Sequence, residues 1–159
     1  MPKQIGIFVD VSNLYYCIKN KYKKKLDYGK YWNYIQDFGT IVIAKAYGAQ
    51  VNNQAVGFIH CLKTVGFEPI FHSPKSFRDE AGAISKKANY DTQITVDIIE
   101  NMEKLDIIVI GSADSDFVPL GDVLIKRGKK IIIFACKISR DFDDRFLCIE
   151  IPESLLEAA

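Results

Sequence analysis

Two acids separated by a single serine, Asp114 and Asp116, close a run of small residues, Gly111-Ser112-Ala113, which follows the unbroken apolar stretch Ile107 to Ile110. Carboxylates so placed are suited to holding a cation and, through it, a phosphate. The apolar run reads as a strand covered on both faces. The acids therefore arrive at its carboxyl end, the edge at which open α/β sheets bind ligands. A second junction of strand and acid opens the chain, where Gln4 to Val9 ends in Asp10-Val-Ser-Asn13 and a helix begins at Leu14. Asp10 has two readings there: a charge favouring the positive end of a helix capped by Ser12 or Asn13, or a metal ligand beside that cap. A third acid, Asp91, precedes a helix whose Ile94, Ile98 and Met102 form one stripe. At about 100° per residue Asp91 falls in the middle of that stripe, where an apolar residue is expected. A helix entered from a parallel strand starts above the strand's carboxyl edge, so Asp91 should overhang the edge that carries Asp10 and Asp114. The alternative for Asp91 is an ordinary N-cap. Asp97 falls with Gln93, Glu100 and Asn101 on the polar side of the same helix.

The elements that must position these acids alternate along the chain. Further strands are expected at Thr40–Gly48, Phe67–His72, Lys130–Ala135 and Leu147–Ile151, and helices at Tyr28–Phe38, Asn52–Thr64 and Phe117–Arg127. Gly66 stops the second of these helices. Pro69 places its strand at a sheet edge, because proline cannot donate to a ladder. The polar segment Ser73 to Asn89 reads as one long irregular connection. Ile138 to Phe146 reads as a polar helical turn, and Pro152 to Ala159 as a terminal turn or frayed helix. The basic stretch Lys19 to Lys25 reads as a solvated, dipole-compensating helix end. Strands alternating with helices give an α/β fold, a parallel sheet with helices on both faces. Strand order does not follow from the pattern.

Composition narrows the function classes. With 159 residues, 48% of them hydrophobic, the chain suits one domain spanning residues 1–159. Its 21 basic and 20 acidic side chains exclude a strongly basic binder, so any nucleic-acid site is a local patch. Cys17, Cys61, Cys136 and Cys148 lie far apart in apolar segments without a C-x-x-C, which argues against zinc or disulfide frameworks and reads them as small core hydrophobes. No apolar run approaches the length of a membrane span and no signal peptide opens the chain, so a cytoplasmic protein is expected. His60 and His72 have no nearby acid or second histidine and read as structural.

Three motifs together resemble a known family. Asp10-Val-Ser-Asn13, Lys87-Ala-Asn-Tyr-Asp91 with Asp97 beyond it, and Gly111-Ser-Ala-Asp-Ser-Asp-Phe-Val-Pro-Leu120 are similar to the NYN domains of the LabA-like group, relatives of the PIN nucleases. The resemblance runs from the first strand to the fifth. In the last motif the family pattern is Ser-Gly-Asp-x-Asp-Phe-x-Pro-Leu, and Ala113 replaces its glycine, which asks for an ordinary backbone conformation there. The middle motif departs further, Lys-Ala-Asn-Tyr-Asp-Thr standing where the family has Lys-Gly-Val-Asp-Val, yet Asp91 and Asp97 align. The resemblance implies a PIN-like three-layer sandwich with sheet order 3-2-1-4-5 and a divalent-metal ribonuclease site. Asp10 and Asp114 would then flank one crevice at the topological switch.

Crowded carboxylates repel unless a cation sits among them, and Mg²⁺ or Mn²⁺ suits hard oxygen ligands. On this reading Asp10 and Asp114 bind metal directly, and Asp91 and Asp116 either bind a second ion or hold metal-bound water. Asp116 also suits a helix cap before Phe117. Asn13 would orient a carboxylate or touch phosphate, and Ser112 would donate to either. Arg78, Lys86 and Lys87, near the expected mouth, are candidates for phosphate contacts. Single-stranded RNA suits an open crevice better than a duplex; a homo-oligomer is left open. Two rivals remain: an aspartyl-nucleophile phosphotransferase, against which Ser12 stands where a second acid is usual, and a non-catalytic RNA- or metal-binding regulatory module.

Overall fold

The structure, a computed structural model, describes residues 2–49, 54–72, 76–78, 84–86 and 90–157. Its strands are β1 (Gln4–Asp10), β2 (Thr40–Ala49), β3 (Glu68–His72), β4 (Ser76–Arg78), β5 (Ile84–Lys86), β6 (Ile107–Gly111), β7 (Lys130–Ala135) and β8 (Leu147–Glu150). The helices are α1 (Val11–Tyr22), α2 (Tyr28–Gln36), α3 (Gln54–Val65), α4 (Asp91–Asn101) and α5 (Val118–Lys126). Six strands form a parallel sheet in the order β3-β2-β1-β6-β7-β8. Counted by sheet strands, this is the expected 3-2-1-4-5 with a sixth strand added at the far edge. β3 takes the opposite edge, as Pro69 requires.

Alternation along the strands divides the core into two layers. Ile5, Ile7 and Val9 of β1 and Val109 of β6 face the side covered by α1, α2 and α3, where they meet Leu14, Ile18, Tyr31, Ile35 and Leu62. Phe8, Ile108 and Ile110 face Ile94 and Ile98 of α4 and Leu120 and Leu124 of α5. All five residues of β6 are buried, which explains its unbroken apolar sequence. Each isoleucine so buried stabilises the fold by about 1.5–3 kcal/mol relative to exposure. Tyr31 stacks on Phe134 at 4.5 Å between ring centroids and donates its hydroxyl to the Phe134 carbonyl at 3.2 Å, tying α2 to β7.

Several local expectations are corrected. Ser73 to Asn89 is not wholly irregular, since β4 and β5 within it pair antiparallel. Ile138 to Phe146 forms turns rather than a helical turn. Phe142 and Phe146 are buried there, and Arg145 is held by Asp143 at 2.9 Å and by Asp122 of α5 at 2.7 Å, so side-chain anchors replace helical hydrogen bonds. A short 3-10 turn, Ser115–Phe117, precedes α5. Of the cysteines, Cys136 is buried and Cys17 half-buried, whereas Cys61 and Cys148 are exposed; all four are free thiols. Gly66 closes α3 at φ 129°, where an added Cβ would meet the Trp32 ring.

Candidate functional site

The parallel pairing of β1 with β6 aligns Val9 with Gly111, so the chain leaves both strands at the same edge. A side chain at Gly111 would crowd Val9 and the Tyr31 hydroxyl, which is why the strand ends on glycine. Asp10 is itself the N-cap of α1, accepting from the Asn13 N–H at 3.2 Å; neither Ser12 nor Asn13 takes that role. Asn13 turns its own amide oxygen across the gap and accepts from the Ala113 N–H at 3.3 Å. The first motif thereby fixes the backbone of the third. Ser112, fully buried, accepts from the Asp114 N–H at 3.2 Å, and Asp114 accepts from the Asp116 N–H at 2.9 Å. The cap before Phe117 is thus Asp114, and Asp116 lies inside the short turn. Ala113 keeps an ordinary backbone: Lys23 alone among the described non-glycine residues has a positive φ.

Asp91 is the first residue of α4, not its cap. The cap position falls to Tyr90, which makes no side-chain cap bond. Tyr90 instead donates its hydroxyl to the Gly48 carbonyl at the end of β2 and stacks near His72 of β3. This anchor sets the start of α4 over the carboxyl edge of the sheet. Carboxylate oxygens of Asp91, Asp114 and Asp116 come within 4.8 Å of one another. Asp10 lies outside that tight group but within reach of its charge. Burial pushes the Asp91 carboxyl up to about 7, helped by a hydrogen bond with Asp114 and by the charges of Asp114, Asp10 and Asp116. Burial also raises the Asp10 carboxyl, an effect that the N–H groups of Asn13 and Ser12 oppose and the Asp114 charge reinforces.

Asp97, aligned with the acids by motif, is placed elsewhere. Its carboxylate accepts from the Tyr47 hydroxyl at 2.6 Å and lies 3.9 Å from the Lys45 ammonium. It is half-buried against β2 rather than on an open polar face, because Tyr47 and Lys45 reach it from the strand beneath. Arg78 and Lys86 lie on the paired strands β4 and β5; Lys87 lies outside the described residues. Tyrosines were not anticipated near the acids, yet Tyr28 and Tyr90 both feel the Asp10 charge, which adds to burial in raising their hydroxyls. Their only sequence signal was an aromatic immediately before Asp91 and another at the head of α2.

The family model of the NYN domain matches residues 4–150. The chain belongs to the NYN domain family. That family lies within the PIN-like nucleases, so the motif resemblance and the fold agree. A curated relative, the low amplitude and bright protein LabA of Synechococcus elongatus, is 25% identical over 98% of this chain and 89% of its own length. A crystal structure of a protein of unknown function from Vibrio parahaemolyticus superposes with a TM-score of 0.88 at 29% identity, covering 98% of this chain and 97% of that one. No helix among the described residues is long and apolar enough to cross a membrane.

Proposed function

We propose that this NYN domain is a divalent-metal-dependent ribonuclease that hydrolyses single-stranded RNA at the carboxyl edge of its sheet. The observation that carries the reading is the convergence of Asp91, Asp114 and Asp116 within 4.8 Å, with Asp10 joining from a third segment. Capping explains Asp10 or Asp114 singly but not the assembly of all four. The fit to a metal rests on the donor set, which is all carboxylate oxygen, and on the burial of Asp91 beside the like charges of Asp114, Asp10 and Asp116, which together raise its carboxyl. Asp91, Asp114 and Asp116 would hold Mg²⁺ or Mn²⁺ and Asp10 would complete the charge around it. A bound ion supplies phosphate polarisation, a more acidic water and neutralisation of the leaving oxygen.

The chain's own groups do the rest. Asp10 and Asp114, each fixed by a backbone N–H, keep their carboxylates aimed at the edge without further ordering. Asn13, by gripping the Ala113 N–H, holds the two acid-bearing loops at one separation. Asp91, raised to about 7 while the acids stand alone, would give up its proton to a cation entering the site near neutral pH. Arg78, Lys86 and Lys87 are the proposed phosphate contacts, in one domain of residues 1–159. The protein, incubated with labelled single-stranded RNA and Mg²⁺ or Mn²⁺, is expected to cleave it and to stop on EDTA addition. A doubly substituted Asp10→Asn, Asp114→Asn protein prepared identically controls for contaminating nuclease. Equal cleavage by both proteins refutes the assignment, and metal binding with no cleavage of any RNA or DNA leaves the non-catalytic regulatory module in its place.

A further inference from the structure

Beyond the Ser12 N–H that meets Asp10, the outward face of α1 takes no part in holding the acids. Ser12, Tyr15, Tyr16, Lys19, Asn20 and Lys23 follow the spacings of three and four that bring helical residues into one stripe, and the stripe begins beside the Asp10 cap. Tyr15 and Tyr16 are 40% and 64% exposed, their rings meeting edge to face at 5.3 Å. Lys19 donates to the Tyr15 hydroxyl at 3.4 Å and lies 5.4 Å from the ring centre, so the cation is carried on the aromatic surface. Lys21 and Lys24, by contrast, turn to Glu150 and Glu153 at 3.9 and 3.2 Å. Lys19 and Lys23 form no ion pair among the described residues, and α1 contains no acid. Lys23 occupies the left-handed C-cap at φ 58°, a position that favours glycine or asparagine. Compensation of the helix dipole does not demand lysine there, because Lys19 and Lys21 already occupy the last turn.

We propose that this ridge is a binding track for single-stranded RNA, with bases stacking on Tyr15 and Tyr16 and phosphates meeting Lys19 and Lys23. Exposed rings interleaved with unneutralised cations are the chemistry that recognises an unpaired strand, whose bases offer their faces as a duplex does not. α1 starts at the acid edge and runs away from it, so one strand lying on the ridge is led to the carboxylates. The proposal rests on the ribonuclease reading for its substrate, and it adds a subsite that the acids do not form.

The test is fluorescence anisotropy of a labelled single-stranded RNA of about 12 nucleotides, within the range one such groove spans, in EDTA so that binding is read without cleavage. Tyr15→Ala with Tyr16→Ala should weaken binding roughly tenfold or more, and Tyr15→Trp with Tyr16→Trp should retain it, since stacking needs a ring. Lys19→Gln with Lys23→Gln should lower the salt slope of log affinity by about 1.4, two phosphate contacts' worth for a single strand. Melting temperatures identify any variant that fails to fold, and the lysine pair provides an independent reading if the tyrosine pair does. Unchanged affinity and salt slope in folded variants overturn the ridge while leaving cleavage by wild type to stand. Loss of binding in the variants with no cleavage by wild type upholds the ridge and refutes the ribonuclease reading. Binding to anionic vesicles with none to RNA overturns the ridge as a nucleic-acid surface.

Discussion

Asp91 and Asp97 lie on the same helix, six residues apart, and meet opposite surroundings. Asp97 accepts a hydroxyl from Tyr47 and faces the Lys45 ammonium, so its charge is met by donors and pins α4 to β2. Asp91 is drawn instead toward Asp114 and Asp116, with Asp10 behind them, and burial beside those acids lifts it to about 7. An acid surrounded by donors strengthens the fold. An acid held among acids costs stability, and that cost is sustained where a cation or a proton is needed. Motif alignment treats the two residues alike; their neighbours separate them.

The comparison breaks first on activity. Asp91→Asn and Asp114→Asn are each expected to reduce metal-dependent RNA cleavage by at least about 10³-fold, several kcal/mol of transition-state stabilisation, whereas Asp97→Asn should stay within severalfold of wild type. Initial rates on a labelled strand measure both, and an inactive but folded Asp97→Asn protein would place Asp97 with the other acids. Stability should show the converse. Asp97→Ala leaves the buried Tyr47 hydroxyl without its acceptor and should cost about 1–3 kcal/mol in urea unfolding, while Asp91→Asn in EDTA should be at least as stable as wild type because a repelled charge has gone.

The pH dependence sharpens the contrast. For Asp91 the folded value, about 7, stands above the ordinary 3.8, so between them the folded protein binds more protons than the unfolded chain. Stability conferred by that proton is fully present below the unfolded value and is lost as pH rises through about 7. Asp10 shifts in the same direction. In EDTA the melting temperature should therefore fall between pH 5 and 8 more steeply for wild type than for Asp91→Asn. Mn²⁺, binding the ionised site of the folded state alone, should raise it most at the upper end. A slope that Asp91→Asn leaves unchanged would remove Asp91 from the titrating group. The smallest effect belongs to the bridge between loops: Asn13→Ala should cost about 1 kcal/mol for the lost bond to Ala113 and lower kcat more than it raises KM, since it loosens positioning rather than substrate contact.

By itself the sequence determined the layers and the edge. Unbroken apolar runs punctuated by acids, and a helical stripe with Asp91 where an apolar residue belonged, were enough to place three acid-bearing segments at the carboxyl side of a parallel sheet, because strand burial and helix phase are local periodicities written into neighbouring residues. Pro69 likewise announced the edge position of β3, since a missing N–H is a property of the residue itself. Tertiary structure alone decided which acids touch. Tyr47 finds Asp97 across 50 residues, and Ala113 finds Asn13 across 100, through the pairing of β1 with its neighbours. The anchors of Ile138 to Phe146, Asp122 among them, were equally out of sight, as was the cap role that passed to Asp10 and Asp114. Periodicity says which side of an element a residue faces; what waits on that side is set by register and packing between segments that share no sequence signal, and for a carboxylate the partner decides whether its charge secures the fold or strains it.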